Sequence, residues 1–171
     1  MNLISIIIPV RNCENFIFDT LNELKSFKNI EIFLADGSSQ DKTLEIVNNF
    51  IDDGLNLKVI SYGDSGQSDA LNKLLQYVKT PFFVWLNGDD LISEKFVQYA
   101  QNTIESINAS DRKKLVSITT NSIFINQDNK FVKYQFGLKD VSYLVKNGVW
   151  FGKFPCRVWN TALVNSVGGL R

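Results

Sequence analysis

The chain is 171 residues long, 44% hydrophobic and 21% charged, a balance that suits one folded domain with a sizeable core and excludes long disordered tracts. Its 18 basic and 18 acidic residues cancel, so no overall field draws it to nucleic acid or to an anionic surface. It contains no histidine, which removes Ser-His-Asp and Cys-His catalysis and histidine-bound zinc and leaves acid–base work to carboxylates, lysine or tyrosine.

Residues 3–10 form a short apolar, β-branched run and predict a buried strand. Residues 16–27 then carry apolar side chains at helical spacing. The alternation continues with strands over 30–35, 57–61 and 82–86 and helices over 42–50 and 68–78, the last marked by Leu71, Leu74, Leu75 and Val78. This order predicts an α/β fold, a Rossmann-like, mostly parallel sheet flanked by helices, with ligands beyond the carboxyl ends of the strands. Residues 94–107 predict a helix with Ser93 as N-cap. Residues 115–124 and 130–136 read as strands around a turn at 126–129, a hairpin or a C-terminal antiparallel addition. A last helix is expected over 160–167, ended by Gly168-Gly169. No linker divides the chain, so a single domain over 1–171 is expected, with 1–107 and 108–171 as its two halves.

The polar residues gather after the strands: Pro9-Val10-Arg11-Asn12, Asp36-Gly37-Ser38-Ser39-Gln40-Asp41, Asp64-Ser65-Gly66-Gln67-Ser68-Asp69 and Asn87-Gly88-Asp89-Asp90. Adjacent carboxylates at a strand's end suit a hard divalent cation, which takes oxygen ligands and keeps positions for water or phosphate. Asn-Gly and Asp are equally ordinary turn residues. Asp36 at a strand tip offers an acceptor for a nucleobase N–H, with Gly37 permitting close approach, although the same stretch also serves as a helix start. The loop around Gly66 would bring backbone and the start of a helix close to a phosphate or ribose. Neither G-x-G-x-x-G nor G-x-x-x-x-G-K-[ST] occurs, so the usual dinucleotide fold and the P-loop are unsupported.

Taken in order, residues 5–12, 36–43, 64–73 and 85–90 resemble the family 2 glycosyltransferases, which have the GT-A fold; a weaker match runs from Arg157-Val158-Trp159 to Val167-Gly168-Gly169-Leu170. The resemblance implies sugar transfer from a nucleotide sugar, a UDP-sugar before others, to a glycan or glycolipid acceptor, by an inverting reaction that uses Mn²⁺ or Mg²⁺. It implies that Pro9, Arg11, Asn12 and Glu14 line base and ribose with Asp36, and that Gly66, Asp69 and Asn72 lie near ribose and diphosphate. It further implies that Asn87 and Asp89 face the donor, that Asp90 holds the metal, and that Arg157 and Trp159 belong to the acceptor side. Asn87 stands where many members carry the first acid of an Asp-x-Asp motif, and Arg11 replaces a common aromatic.

The family's catalytic base is an acid shortly after Gly-Gly-Leu, whereas this sequence ends at Arg171 with no Asp or Glu after Asp140. The expectation is therefore a chain cut before the catalytic-base region, its catalytic residue unknown. The alternatives are a non-catalytic nucleotide-binding module and a plain α/β interaction domain. Residues 1–140 carry net −4 and residues 141–171 net +4, either chance segregation or a tail suited to phosphates. Two distant cysteines, Cys13 and Cys156, no apolar run of roughly 18 residues and no signal-peptide pattern point to the cytoplasm, with peripheral association at the inner face of the membrane if the acceptor is held there.

Overall fold

The computed structural model describes residues 2–61, 66–119, 121–126, 130–135 and 157–170. Asp64, Ser65, most of the 126–129 turn, position 136 and Arg171 lie outside the described residues.

Strands β1 (Ile4–Val10), β2 (Glu31–Asp36), β3 (Leu57–Ser61) and β4 (Phe82–Trp85) alternate with helices α1 (Ile17–Leu24), α2 (Thr43–Asp52) and α3 (Gln67–Leu75). Then come α4 (Glu94–Ser106), α5 (Ala109–Lys114), β5 (Ser117–Thr119), β6 (Ser122–Ile125), β7 (Phe131–Gln135), β8 (Arg157–Asn160) and a short helix, α6 (Thr161–Ser166). The main sheet has the order β3-β2-β1-β4-β8-β5, and β6 and β7 form a separate antiparallel pair. Pairings β3–β2, β2–β1 and β1–β4 are parallel, while β8 runs antiparallel to both β4 and β5.

Strand alternation splits the core into two layers. Ile4, Ile6, Ile8 and Val10 of β1 face one side, where Ile17, Leu21 and Leu24 of α1, Val47 and Phe50 of α2 and Val97, Ala100 and Ile104 of α4 close over them. Ile7 faces the other side with Phe33, Phe83 and Trp85, beneath Ala70, Leu71, Leu74 and Leu75 of α3 and Val164 of α6. Burial on both faces explains why these strands read as continuous apolar runs rather than alternating ones. Buried Thr80 shares a hydrogen bond with Ser5 Oγ at 2.9 Å and donates to the Phe82 carbonyl at 2.7 Å.

Strand order reverses between β1 and β4, which sets the loop after β1 beside the turn after β4. Such a switch point is where open α/β sheets hold ligands. Pro9 sits in this central strand without breaking a ladder. Pairing with β4 ends at Ile7↔Trp85, and the Ile7 carbonyl is already directed at Leu86 N, so the N–H that Pro9 lacks falls on the same side, past the last pair.

Several boundaries differ from the sequence expectation. The expected strand over 115–124 is two strands in different sheets: Ile118 of β5 packs into the main sheet at 9% exposure, while Ile123 of β6 is 60% exposed. The expected hairpin is present, as β6–β7. Helix α5 has no buried residue and therefore no apolar period to announce it. Ser93 does occupy the N-cap position of α4, but its side chain makes no capping bond.

Candidate active site

The loops after β1 and β2 are cross-braced. Asn12 and Ser38 adopt left-handed backbone, φ 50° and 61°, a conformation asparagine tolerates and serine pays for. The brace holds them there: Asn12 N donates to Ser39 Oγ at 2.9 Å, and Gln40 N donates to Asn12 Oδ1 at 2.9 Å. Asp36 at the tip of β2 is only 1% exposed, and its oxygens accept from Ser39 N at 3.0 Å and Ser39 Oγ at 2.5 Å. A second set ties residues 13–14 to the start of α2. Cys13 N donates to Thr43 Oγ1 at 2.7 Å, Glu14 N to Asp41 Oδ2 at 3.1 Å and Lys42 N to Glu14 Oε2 at 2.9 Å. Both carboxylates thus satisfy N–H groups at the beginning of a helix, where negative charge is favourable. Desolvation pushes the Asp41 carboxyl up, but hydrogen bonds from Thr43, the Glu14 amide and its own amide outweigh it, leaving it below the usual aspartate range.

The turn after β4 is anchored from below by α1. Buried Thr20 donates through one hydroxyl to the Gly88 carbonyl at 2.9 Å and the Asp90 carbonyl at 3.1 Å, and Asp90 N closes the turn on the Asn87 carbonyl at 3.2 Å. A Cβ on Gly88 would lie 2.8 Å from Val10 Cγ1 and 2.9 Å from Cys13 Sγ. Glycine is thus required here by close approach, with the turn packed onto the end of β1. Asn87 is the hub: its Oδ1 accepts from Trp85 Nε1 at 2.9 Å and Gln67 Nε2 at 3.0 Å, and its Nδ2 donates to Asp90 Oδ2 at 2.8 Å. Asp89 is exposed and Asp90 half-buried. The thiol of Cys13 beneath them is pushed up to about 11 by desolvation and by the negative charges of Asp89 and Asp41.

On the far side of the sheet, α3 supplies the other expected residues. Exposed Gly66, at φ 128°, precedes it in a conformation open to glycine. Asp69 pairs with Lys73 one turn on, at 2.8 Å. Asn72 grips the backbone of Leu170, donating to its carbonyl and accepting from its N–H, both at 2.8 Å. Gly168 and Gly169, at φ 87° and 89°, turn the chain into that grip, and a Cβ on Gly169 would collide with Asn72 Oδ1. Since Val84 faces Val158 in the antiparallel register, Arg157 lies one step further toward the 87–90 turn. Its guanidinium is 5.6 Å from the Trp159 ring centroid, and desolvation lowers its pKa.

The switch point thus brings Arg11, Asn12, Asp36, Asn87, Asp89 and Asp90 to one edge, with Arg157 beside it. Glu14 is turned toward α2, and Asn72 toward the C-terminal segment. Sequence reasoning missed Thr20, Ser39, Gln67 and Trp85: the first three act on partners distant in the chain, and Trp85 acts on Asn87 two residues on. Beyond the turn, Asn15, Phe16, Asp19, Thr20, Asp89 and Leu91 line much of an open hollow of about 350 Å³. Among the described residues no three acidic or cysteine side chains gather around a metal-sized space.

The family model of glycosyl transferase family 2 matches residues 5–164. The chain belongs to this family. An uncharacterized glycosyltransferase of Haemophilus influenzae is 31% identical over 149 residues, 84% of this chain and 56% of its own length. The UDP-Glc:α-D-GlcNAc-diphosphoundecaprenol β-1,3-glucosyltransferase of Escherichia coli is 36% identical over 92 residues, 53% of this chain and 36% of its own. The chain therefore spans about half, or less, of the length of these curated relatives. S. aureus TarS 1–349 in complex with UDP-GlcNAc superposes with a TM-score of 0.73 at 23% identity, over 97% of this chain and 47% of that one. The mannosyltransferase of Pyrobaculum calidifontis in complex with GDP-Man and Mn²⁺ gives 0.68 at 15%, over 98% and 47%. At these identities the likeness establishes the GT-A fold of this family 2 chain.

Proposed function

We propose that the chain carries the donor-binding part of an inverting, divalent-metal-dependent glycosyltransferase that moves a sugar from a nucleotide sugar to an acceptor hydroxyl. The observation that carries this reading is the braced edge at the β1–β4 switch, where Asp36 and the 87–90 turn both stand at the carboxyl ends of parallel strands. The base would lie over Arg11, whose guanidinium can stack on it, with Asp36 as acceptor for a base N–H. Ser39 Oγ now occupies that carboxylate, so the base would share or displace a hydroxyl that Asn12 N also holds. Gly66 and Asp69 would border the ribose and diphosphate.

The donor set at Asp90 and neighbouring Asp89 is all oxygen and fits Mn²⁺ or Mg²⁺, the remaining positions going to phosphate oxygens and water. When bound, such an ion neutralises charge on the departing diphosphate. Asp90 would hold it, Asp89 would face the ribose or sugar, and Arg157 and Trp159 would border the acceptor. We assign no catalytic base within this chain, and its activity alone is part of the proposal.

UDP-sugars are the favoured donors, since the E. coli relative is named for UDP-Glc and the S. aureus neighbour is in complex with UDP-GlcNAc. The relative's diphosphoundecaprenol acceptor favours a glycan or glycolipid acceptor, polysaccharide or glycolipid assembly, and a cytoplasmic protein working at the inner face of the membrane. No helix among the described residues is long and apolar enough to cross a membrane. Equilibrium binding of UDP, GDP, CDP and dTDP, each with and without Mn²⁺, tests the reading. Metal-dependent preference for UDP is expected; a folded protein that binds none of them would overturn it.

A further inference from the structure

We propose that Asn87 is a positioning residue, keyed by Trp85 and Gln67, that holds the Asp90 carboxylate at one rotation for the divalent cation of the donor complex. This rests on the donor-site reading above and adds to it a residue whose task is to orient another.

An asparagine side chain presents an oxygen and an NH₂ of nearly equal shape, so its orientation is decided by its partners. Here the decision is forced. The indole N–H of Trp85 can only donate, so the Asn87 atom 2.9 Å away must be the oxygen. Gln67 Nε2, at 3.0 Å, fills the second lone pair of that oxygen. The NH₂ must then point the opposite way, where it donates to Asp90 Oδ2 at 2.8 Å. Trp85 is itself buried, 9% exposed among Ile7, Phe33, Phe83 and the apolar face of α3, so the orientation is tied to the core.

An acid at position 87 would accept the same two donors yet turn an anionic oxygen on Asp90, so the contact would become repulsive in the metal-free protein. The amide therefore exchanges one ligand charge for a carboxylate already oriented before the cation arrives. Outer partners of this kind commonly change metal affinity by about 10–100-fold when removed. The key also links α3, which follows the Gly66 loop, to the metal-binding turn.

The experiment is calorimetric titration of UDP with and without Mn²⁺, on the full chain, on Asn87→Ser and on Trp85→Phe, with the Trp85 indole ¹H–¹⁵N resonance recorded in the metal-free unsubstituted and Asn87→Ser proteins. Asn87→Ser removes the hub, whereas Trp85→Phe removes the key and leaves the Asn87 amide in place. In both, the gain in UDP affinity produced by Mn²⁺ should fall about tenfold. The Trp85 indole resonance should move in Asn87→Ser. Because Trp85→Phe also disturbs packing, the milder Asn87→Ser decides if the aromatic variant fails to fold. An unchanged Mn²⁺ gain in a folded Asn87→Ser protein whose indole resonance has moved would overturn the proposal and leave the donor site standing. Failure of the unsubstituted chain to bind any nucleotide would overturn both.

Discussion

Gly88→Ala puts the smallest possible group into the tightest contact of the site. The added Cβ would lie 2.8 Å from Val10 Cγ1, 2.9 Å from Cys13 Sγ and 3.5 Å from Ile17 Cδ1. Carbon atoms in good contact sit about 3.5–4.0 Å apart, so the turn or the end of β1 must yield by most of an ångström. Gly88 is not among the positive-φ residues, and the cost is therefore steric. Val10 is 6% and Ile17 0% exposed, leaving little room to retreat, and overpacking of this kind costs about 1–3 kcal/mol. For a domain of this size the loss corresponds to roughly 2–12 °C in the thermal midpoint. The turn should also lift from the Thr20 hydroxyl and take Asp90 with it, weakening Mn²⁺-dependent UDP binding. Thermal unfolding of Gly88→Ala, Val10→Ala and the double variant provides the check, because removing Val10 Cγ1 makes space for the new methyl. The double variant should be more stable than the sum of the single losses. A Gly88→Ala protein as stable as the unsubstituted chain, or strictly additive losses, would refute the close-packed turn.

Thr20→Val keeps the shape of the side chain but deletes the donor to the Gly88 and Asp90 carbonyls; it should cost about 1–3 kcal/mol in denaturant unfolding and reduce Mn²⁺-dependent UDP binding. The raised pKa of Cys13 carries a pH sign: the folded chain keeps its proton where the unfolded chain releases it. Stability from this group is complete below pH 9.0 and lost as pH rises toward about 11. Cys13→Ser should lose less stability than the unsubstituted chain over that window, and peptide mapping should show slow alkylation of Cys13 at neutral pH. Asn72→Ala frees the Leu170 backbone, so amide exchange at residues 168–170 should accelerate while exchange in β1 and β2 stays as it was.

Strands β1, β2 and β4 were legible because burial on both faces makes them largely apolar, β3 because Leu57, Val59 and Ile60 form a short apolar run at the sheet edge, and the three helices between them showed the period of their buried stripes. Strand β8 was not. Its four residues are too short for a period, and its place depends on pairing with β4 and β5, each distant in sequence. The split of the 115–124 run was equally hidden, since Ile118 and Ile123 have the same chemistry and only their neighbours differ. In the site, the carboxylates at strand ends could be found because charge is conspicuous after an apolar run. Thr20 and Gln67 could not: a threonine in an amphipathic helix and a glutamine at a helix start look ordinary until the turn they hold is in place. Asn87 was noticed as a departure from the family's acid, while its orientation became visible only with Trp85 and Gln67 around it.

The central claim is that the 87–90 turn presents Asp90 to a cation bound with the nucleotide. Its most direct test is calorimetric titration of UDP in the presence of Mn²⁺ on the unsubstituted chain and on Asp90→Ala. Saturable, Mn²⁺-dependent binding that disappears in a folded Asp90→Ala protein is the predicted result; equal binding by the two proteins, or by neither, would contradict it.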